Sequence, residues 1–501
     1  MNEHDVTLIL PGLVVAGTAL VLLAVDLVVT RKAILAWVAC GGLVAAAAVA
    51  LGQWMRVVDG ALTFTGREPQ AGFHGMIGLD RYALYAVLLF CGIGVVTVLL
   101  SDAYITRHHE PHGEFYGLLL LVIVGMIGMA VSTDLIMLYI SFELMSLPTY
   151  VLAGSLRADP RSGEASLKYF VNGAFASAIL AFGLALLYGA TGQTNYASIA
   201  ESLAGLGDGT SGLTIVALVL VVVGFAFKVS AVPFHSWAPD VYEGAPTPVT
   251  AFMSVGVKAG AFLGFLKLFT VATGTAAEPW TDALIILAIV TMVVGNVLAL
   301  PQRNLKRMLA YSSIAHAGYL LLGLVAVGAS GDTAGSSAVL FYLAAYAAMN
   351  LGAFGVLVGI RNRRAFGYTL DEITGLSRSM PGAALVLSIF MLSLTGIPPL
   401  IGFWGKFYLF TAVIDAGYTW LAIIAVIMSA VSAYYYLRVV WLMYFRERPD
   451  ELDEVVPDPA GRSLGVNVAL GLAAAGVLLV GLYPQPVLRA AEAALRVVVG
   501  G

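Results

Sequence analysis

About fourteen stretches of this chain stay apolar for roughly twenty residues, and this repetition limits its fold more than any other feature. The stretches lie near 7–29, 33–55, 82–101, 115–131, 134–153, 165–189, 212–232, 248–271, 281–300, 306–328, 336–360, 384–414, 418–445 and 463–484. A bilayer core about 30 Å thick needs about 20 apolar residues in a helix. The run 115–153 is too long for one span, and Ser132, Thr133 and Asp134 form the expected break. The sequence therefore predicts an all-α polytopic membrane protein with about 14 transmembrane helices.

The composition excludes several other classes of protein. Of the 501 residues, 60% are hydrophobic and 11% are charged, whereas a soluble domain has about 25% charged residues. A soluble protein of this size needs more polar surface than these residues supply. A cytosolic enzyme, a nucleic-acid-binding protein and a disordered protein are therefore excluded.

The sequence also lacks the usual motifs for metals and nucleotides. Cys40 and Cys91 stand alone in apolar runs and form no CxxC pair, which argues against a zinc site or an iron–sulfur cluster. No P-loop occurs, and no GxGxxG follows a predicted strand. We expect this chain to hold no metal and no cofactor of its own.

Basic residues between the predicted spans lie mostly on one side of the membrane. That side carries Arg31, Lys32, Arg107, Arg157, Arg161, Lys168, Arg303, Lys306, Arg307, Arg361, Arg363, Arg364, Arg378, Arg446, Arg448 and Arg462. The other side carries Arg56, Arg67, Arg81, Arg489 and Arg496, with Lys267 near a helix end. Because basic loops stay in the cytoplasm, the sequence predicts that both termini are extracytoplasmic.

Four ionisable residues lie deep inside the predicted spans. They are Glu143 in LYISFELMSL, Lys228 in VGFAFKVSAV, Lys258 in SVGVKAGAF and Lys406 in IGFWGKFYLF. A charge at the centre of a spanning helix costs about 2.5–3.5 kcal/mol, so such residues indicate a function. A buried salt bridge between Glu143 and one lysine is the structural alternative, but it leaves two lysines without a partner. The set therefore indicates a functional path of ionisable groups inside the membrane.

Prolines interrupt two of these spans close to lysines. Lys228 precedes Pro233 in KVSAVPFHSWAPD, and Lys406 follows Pro398 and Pro399 in TGIPPLIGFWGK. Proline removes a helical hydrogen bond and frees carbonyls, and transporters place such breaks at corresponding positions of inverted repeats. Spans four to eight and nine to thirteen form two units of five, so the seventh span matches the twelfth and Lys228 matches Lys406. We predict two inverted five-helix repeats with discontinuous helices.

This repeat gives the predicted domain organisation. The chain divides into transmembrane helices 1–3 (1–114), a first half-channel repeat (115–271), a second inverted repeat (281–445) and a C-terminal helix 14 (463–501).

Two histidines are further candidates for the path. His235 follows Pro233, and His316 lies in the middle of the tenth span, the counterpart of the span that carries Glu143. A lone histidine in a helix is more often a packing residue, and packing is the alternative for both.

Several of these runs resemble one family. They are ISFELMSLPTYVL, AVPFHSWAPDVYEGAPTPVTAF, NLKRMLAYSSIAHAGY and LTGIPPLIGFWGKFYLF. Residues 115–445 resemble the antiporter-like subunit N of bacterial NADH:quinone oxidoreductase, respiratory complex I. In that family a glutamate of the fifth helix and lysines of the seventh, eighth and twelfth helices form the proton path. The resemblance implies this role for Glu143, Lys228, Lys258 and Lys406.

The resemblance also implies redox-driven proton pumping in a bacterial inner membrane. NADH, FMN, iron–sulfur clusters and quinone would then bind to partner subunits, and none of them to this chain. The implied partners are the other membrane and peripheral subunits of complex I, including other antiporter-like subunits, together with the lipid bilayer and without nucleic acid.

Related proteins provide the alternatives. The M-type subunit typically has glutamate where Lys406 stands, and the L-type subunit has a long lateral helix that this sequence is not expected to form. Subunits of multisubunit sodium/proton antiporters and membrane-bound hydrogenases share the core, although DVYEGAPTPVTAF favours subunit N. A scaffold with inert charges is the remaining alternative.

Overall fold

The computed structural model describes residues 3–58, 70–108, 110, 112–205, 212–273, 278–331, 333–362, 368–447, 455–457 and 463–495. The helices before residue 160 are α1 Glu3–Val28, α2 Ala33–Val58, α3 Arg81–His108, α4 His112–Val131 and α5 Leu135–Ala153. The next helices are α6 Pro160–Thr191, α7 Tyr196–Ala204, α8 Gly212–Lys228, α9 Trp237–Gly244, α10 Thr247–Phe252 and α11 Lys258–Ala272, with a π-helical turn at Met253–Val257. The remaining helices are α12 Glu278–Ala299, α13 Leu305–Ser330, α14 Thr333–Gly359, α15 Leu376–Ser379, α16 Pro381–Thr395, α17 Ile401–Asp415, α18 Thr419–Phe445, α19 Leu464–Leu482 and α20 Gln485–Leu495.

Two short strand pairs lie in the loops between helices. Strand β1 (Gln70–Gly72) pairs antiparallel with β2 (Ile77–Leu79), with Gly72 opposite Ile77. Strand β3 (Ile360–Asn362) pairs antiparallel with β4 (Val455–Pro457).

The all-α architecture with about fourteen spans is confirmed. Twelve helices in the described part of the chain are long and apolar enough to cross a membrane. The two other predicted spans are interrupted, which shortens their helices. The seventh consists of α8, a break at 229–236 and α9, and the twelfth consists of α16, a break at 396–400 and α17.

The predicted break after 131 is also present. Helix α4 ends at Val131, and α5 begins at Leu135. The Asp134 carboxylate accepts a hydrogen bond from the Ile136 backbone N–H, 2.8 Å away, and so caps α5. The polar residues between the two apolar runs thus supply the cap that starts a new helix.

A matched backbone pattern occurs at the starts of α5 and α13. Leu135 N–H donates to Thr194 O, and Tyr196 N–H donates to Thr133 O. In the later segment Leu305 N–H donates to Tyr368 O, and Leu370 N–H donates to Arg303 O. The cap residues are Asp134 and Asn304. This correspondence supports the predicted repeat and sets a register between α5 and α13.

The interior of the bundle is formed by three spans. In the span that joins α10, the π turn and α11, the whole apolar window is buried, and α13 and α14 are almost as enclosed. The helices α1, α2, α18 and α19 are instead largely exposed on one side. Residues placed on α11, α13 and α14 are therefore shielded from lipid.

Some residues of the predicted basic pattern lie outside the described residues. They are Arg363, Arg364, Arg448 and Arg462 on one side, and Arg67 and Arg496 on the other. The two ends of the bundle are named here by their loops. The basic end holds the α5–α6 and α12–α13 connections, and the opposite end holds the α4–α5 connection.

Candidate functional site

Glu143 lies on the outer surface of the bundle. Along α5, Ile136, Ile140, Leu147 and Val151 are each 50–56% exposed, and Glu143 falls in the same stripe with part of its side chain exposed. Residues three and four apart share one face of a helix. The carboxylate therefore lies at the edge of the site, where a molecule that packs against α5 can contact it.

The Glu143 carboxylate is held from inside the bundle by α6. The Ser177 hydroxyl donates a hydrogen bond to Glu143 Oε1. The Tyr139 hydroxyl lies 3.2 Å from Ser177 Oγ, one turn before Glu143. A carboxylate at membrane depth thus has hydroxyl partners but no direct ion pair with a described residue.

Lys228 lies close to α5 but does not contact Glu143. Its Nζ donates to Ser146 Oγ at 2.7 Å, and Ser146 follows Glu143 by three residues on α5. The ammonium also lies 5.2–5.3 Å from the ring centres of Phe142, Tyr150 and Tyr169. Aromatic faces attract a cation where water is excluded. Glu143 on α5 and Lys228 on α8 are therefore neighbouring charges, and the salt bridge of the structural alternative does not form between them.

Lys258 is the next charge along the bundle. It is the first residue of α11, directly after the π turn Met253–Val257, and is 2% exposed. Its Nζ donates to Ser313 Oγ at 2.6 Å and to Ser313 O at 2.8 Å. A π turn widens a helix locally and is frequent at functional sites. Helix α11 thereby presents its lysine to α13 in the fully buried centre.

His316 continues the polar contacts along α13. Ser312, the neighbour of Ser313, hydrogen-bonds the Tyr436 hydroxyl. The Tyr436 hydroxyl lies 3.0 Å from His316 Nε2, and the Tyr342 hydroxyl lies 2.5 Å from Nδ1. Both ring nitrogens are therefore engaged, and His316 belongs to a hydroxyl network that begins beside Lys258.

Lys406 lies in α17, and its side chain reaches back to the break of the twelfth span. Its Nζ donates to the carbonyls of Leu394 and Thr395, at 3.0 and 2.9 Å, and to Ser429 Oγ at 2.9 Å. These carbonyls end α16, where no further helical turn uses them and where the helix dipole is negative. The ammonium also lies 5.3 Å from the Tyr319 ring on α13. The helix break thus creates the acceptors that hold Lys406.

Several tyrosines join these groups, although aromatic side chains in spans usually serve packing. Tyr169, whose ring faces Lys228, stacks on Trp237 at 4.3 Å, and Trp237 meets Tyr242 edge-on at 6.0 Å. The hydroxyls of Tyr242 and Tyr346 both lie beside Ser313. Among the described residues, neither hydroxyl has a well-formed hydrogen bond. Buried hydroxyls without partners are costly, so this region between Lys228 and Lys258 is suited to bound water.

His235 remains apart from this network. It lies in the break between α8 and α9 and is partly buried. Its Nδ1 is buried without a hydrogen-bond partner among the described residues. The structure thus places His316, but not His235, within the polar line.

Two lysines that were assigned to loops or helix ends are in fact buried. Lys267 is 3% exposed, with its Nζ 2.9 Å from Ala130 O and 3.7 Å from the carboxylate of buried Asp80. Lys306 is 4% exposed, with its Nζ bound to Glu243 O and Ala245 O. Each lies near a helix terminus, where a lysine side chain is expected to be exposed to solvent. Helices from distant parts of the chain pack over the terminus and exclude that solvent.

The described residues form no cluster of metal-binding side chains. No three His, Cys, Asp or Glu side chains there approach closely enough to hold a metal ion. The chemistry available along the described line is transfer of protons between ammonium, carboxylate, imidazole and hydroxyl groups.

Buried charges linked through hydroxyls, in a bundle with two interrupted spans, are features of membrane proteins that translocate ions. The sequence model of the NADH:quinone oxidoreductase/Mrp antiporter transmembrane family matches residues 132–432. NADH-quinone oxidoreductase subunit N 1 of Koribacter versatilis is 43% identical, over 98% of this chain and 95% of that protein. The chain belongs to this family, and within it to the subunit N group of NADH-quinone oxidoreductases.

Solved structures agree with this membership. A chain of respiratory complex I from Thermus thermophilus, solved with bound aureothin, is 34% identical, with a TM-score of 0.78 over 96% of this chain and 98% of that one. A chain of the archaeal membrane-bound sulfane sulfur reductase is 25% identical, with a TM-score of 0.83 over 99% and 97%. The same fold therefore occurs in more than one respiratory membrane complex.

Proposed function

We propose that this chain is the proton-translocating membrane subunit of an NADH:quinone oxidoreductase, and that protons move through it from the region of Glu143 toward Lys406. The observation that carries the proposal is the series of ionisable groups with hydroxyl partners that runs across the bundle. Glu143, Lys228, Lys258 and Lys406 are its charged members, and His316 is its imidazole.

The first step takes place around α5. Glu143 and Ser146 lie one turn apart, so a change in charge at Glu143 alters the field at the ammonium that Ser146 holds. A nearby carboxylate favours the protonated form of Lys228, and loss of that charge favours proton release. Tyr169 and Tyr242 lie on the side of Lys228 that leads to Ser313 and Lys258.

The second step passes along α13. From Lys258 the contacts run through Ser313, and from its neighbour Ser312 to Tyr436 and His316. Tyr319, one turn further on α13, faces Lys406. Protons would cross the remaining gaps through water, and the groups would titrate as a coupled set.

The position of Glu143 supports assembly with other membrane subunits. A carboxylate at membrane depth is costly against lipid, yet Glu143 lies in the exposed stripe of α5. A neighbouring subunit of the complex would shield it and provide the charge that triggers Lys228. NADH, FMN, iron–sulfur clusters and quinone would then belong to partner subunits, and this chain would carry no cofactor.

Sidedness follows from the basic loops. Arg157 and Arg303 lie in the α5–α6 and α12–α13 connections, and Arg161 lies in the first turn of α6. These basic residues support a cytoplasmic location for the basic end. Both termini would then be extracytoplasmic, in the inner membrane of a bacterium.

Sodium/proton antiport without a redox partner is less well supported. Sodium is a hard cation that needs several oxygen ligands, whereas three of the four charged groups on the path are lysines. The path groups are therefore suited to carrying protons.

Two measurements test the proposal. Purification of the native chain should retain flavin- and iron–sulfur-containing subunits, and vesicles of that complex should acidify on NADH addition. The isolated chain should not oxidise NADH. An isolated chain that reduces quinone with NADH, or a native complex without redox subunits, would contradict the proposal.

A further inference from the structure

We infer that Lys306 is a proton-uptake residue that connects the basic end of the bundle with Lys258. The inference rests on the proposed proton path and adds a group that the path does not contain. The Lys306 ammonium is buried between a partly exposed charge network and a row of buried polar side chains.

Lys306 is buried at the basic end of α13. Its Nζ lies 3.0 Å from Glu243 O and 2.7 Å from Ala245 O, the carbonyls that end α9, and 5.8 Å from the Tyr368 ring. These acceptors are backbone groups, and Lys306 forms no ion pair with a described carboxylate. Burial favours the neutral amine and the nearby Glu243 and Asp159 carboxylates favour the ammonium, so Lys306 can exist in both protonation states.

A charge network lies directly outside Lys306. Asp240 on α9 contacts Lys168 at 2.8 Å and Arg307 at 2.7 Å, and Arg307 also contacts Glu243 at 3.1 Å. All four side chains are partly exposed. Glu243 therefore belongs to the network through its carboxylate and to Lys306 through its carbonyl. Protons from water reach these carboxylates without crossing apolar protein.

A row of buried polar side chains lies inward of Lys306. Thr247, Thr250, Ser254 and Lys258 follow one another at helical spacing along α10, the π turn and α11, and the three hydroxyl residues are fully buried. The row begins beside Lys306, because the Thr247 hydroxyl donates to Tyr368 Oη at 3.2 Å.

Asn350 on α14 joins the row near its inner end. Its Nδ2 donates to Ser254 Oγ at 2.7 Å, and its Oδ1 is buried without a partner among the described residues. A buried amide oxygen normally has a hydrogen-bond donor, which makes this position suitable for a bridging water. Lys258 follows one turn later.

The transfer conserves charge at each step. Neutral Lys306 takes a proton from water at the charge network, and the protonated amine then releases it to a bridging water. Neutral Lys258 accepts a proton from the other end of that chain of water and hydroxyls. Lys306 returns to its neutral form, and one proton has moved inward.

The test compares Lys306→Arg and Lys306→Met in the assembled complex, with NADH-driven proton uptake by inverted vesicles as the readout. Arginine can still donate to the carbonyls that end α9, but it does not release its proton. We expect both variants to pump at least about tenfold more slowly than wild type at equal complex content. Lys267→Arg is the matched control, since Lys267 is also buried and bound to a helix-end carbonyl. It should pump like wild type.

Each outcome decides the inference. Wild-type pumping by both Lys306 variants would overturn it, and so would normal pumping by the arginine variant alone, because Lys306 would then only cap α9. An equal loss in Lys267→Arg would also overturn it, as a general effect of changing buried lysines. If the Lys306 variants fail to assemble, Asn350→Leu decides, with slow pumping in support and wild-type pumping against. Normal pumping by Lys406→Met would instead reject the proposed path itself.

Discussion

Helices α5 and α13 start with the same backbone pattern and the same type of cap, yet they carry different chemistry. Nine residues after its cap, α5 has Glu143 and α13 has Ser313. Twelve residues after it, α5 has Ser146 and α13 has His316. Where the first helix has a carboxylate at the bundle surface, the second has a hydroxyl that holds Lys258 in the centre. Corresponding positions of the two helices therefore differ in chemistry, with a carboxylate at the bundle surface in α5 and neutral polar groups inside the bundle in α13.

The interrupted spans differ in the same way. Lys228 ends α8, five residues before Pro233, whereas Lys406 lies within α17, seven residues after Pro399. The two lysines thus belong to matching spans but lie on opposite sides of the breaks. Lys228 has one hydroxyl and aromatic faces as partners, whereas Lys406 has two free carbonyls and a hydroxyl. The first ammonium is thus held mainly by side chains, and the second mainly by backbone acceptors at the helix break.

The largest effect is expected at Lys406, because no described carboxylate pairs with its ammonium and holds the proton in place. Lys406→Met should slow pumping at least about a hundredfold with normal assembly, since methionine fits a similar volume. Lys406→Arg should also impair transfer, because arginine stays protonated. Pumping by both variants is to be compared in membranes with equal complex content. Wild-type pumping by the Lys406→Arg variant would mean that Lys406 acts only as a fixed charge.

A smaller loss is expected when the changeable charge of the first half is removed. Glu143→Ala and Lys228→Ala should each lower pumping per NADH oxidised by about tenfold in reconstituted vesicles. Glu143→Asp should be milder, because the charge survives, and it serves as the control for the alanine variant. Wild-type pumping by both alanine variants would remove the proposed role of α5.

The smallest effect is expected when a single hydroxyl partner is removed from Lys228 or from Lys406, and it distinguishes how the two ammonium groups are held. Ser146→Ala removes the direct hydrogen bond of Lys228, which is worth about 1.5–3 kcal/mol for a charged partner. It should therefore slow pumping more than Ser429→Ala does. Ser429→Ala leaves Lys406 with two carbonyls and should change pumping by less than about twofold. Initial pumping rates of the two variants give the comparison. Equal pumping rates in the two variants would show that the carbonyls of α16 are not sufficient to hold the Lys406 ammonium.

Much of this arrangement was predictable from the sequence. The spans follow from the apolar length that a bilayer demands, and the two breaks follow from Pro233 and from Pro398 and Pro399. The four charges inside the predicted spans were visible because a charge inside a long apolar run has no local explanation. Likewise, Ser132, Thr133 and Asp134 predicted the end of α4 and the cap of α5.

The tertiary structure alone decided which polar groups meet. Lys306 and Lys267 lie near helix termini, and only the packing of α9 over one and of α3 and α4 around the other buries them. Tyr242, Tyr346 and Tyr436 look like packing residues in a sequence, because aromatic side chains in spans usually pack. The sequence determined which helices form and where they break, since those depend on local backbone chemistry and on the thickness of the membrane. Burial and hydrogen bonding depend on helix faces brought together from distant parts of the chain, and local spacing carries no information about that pairing.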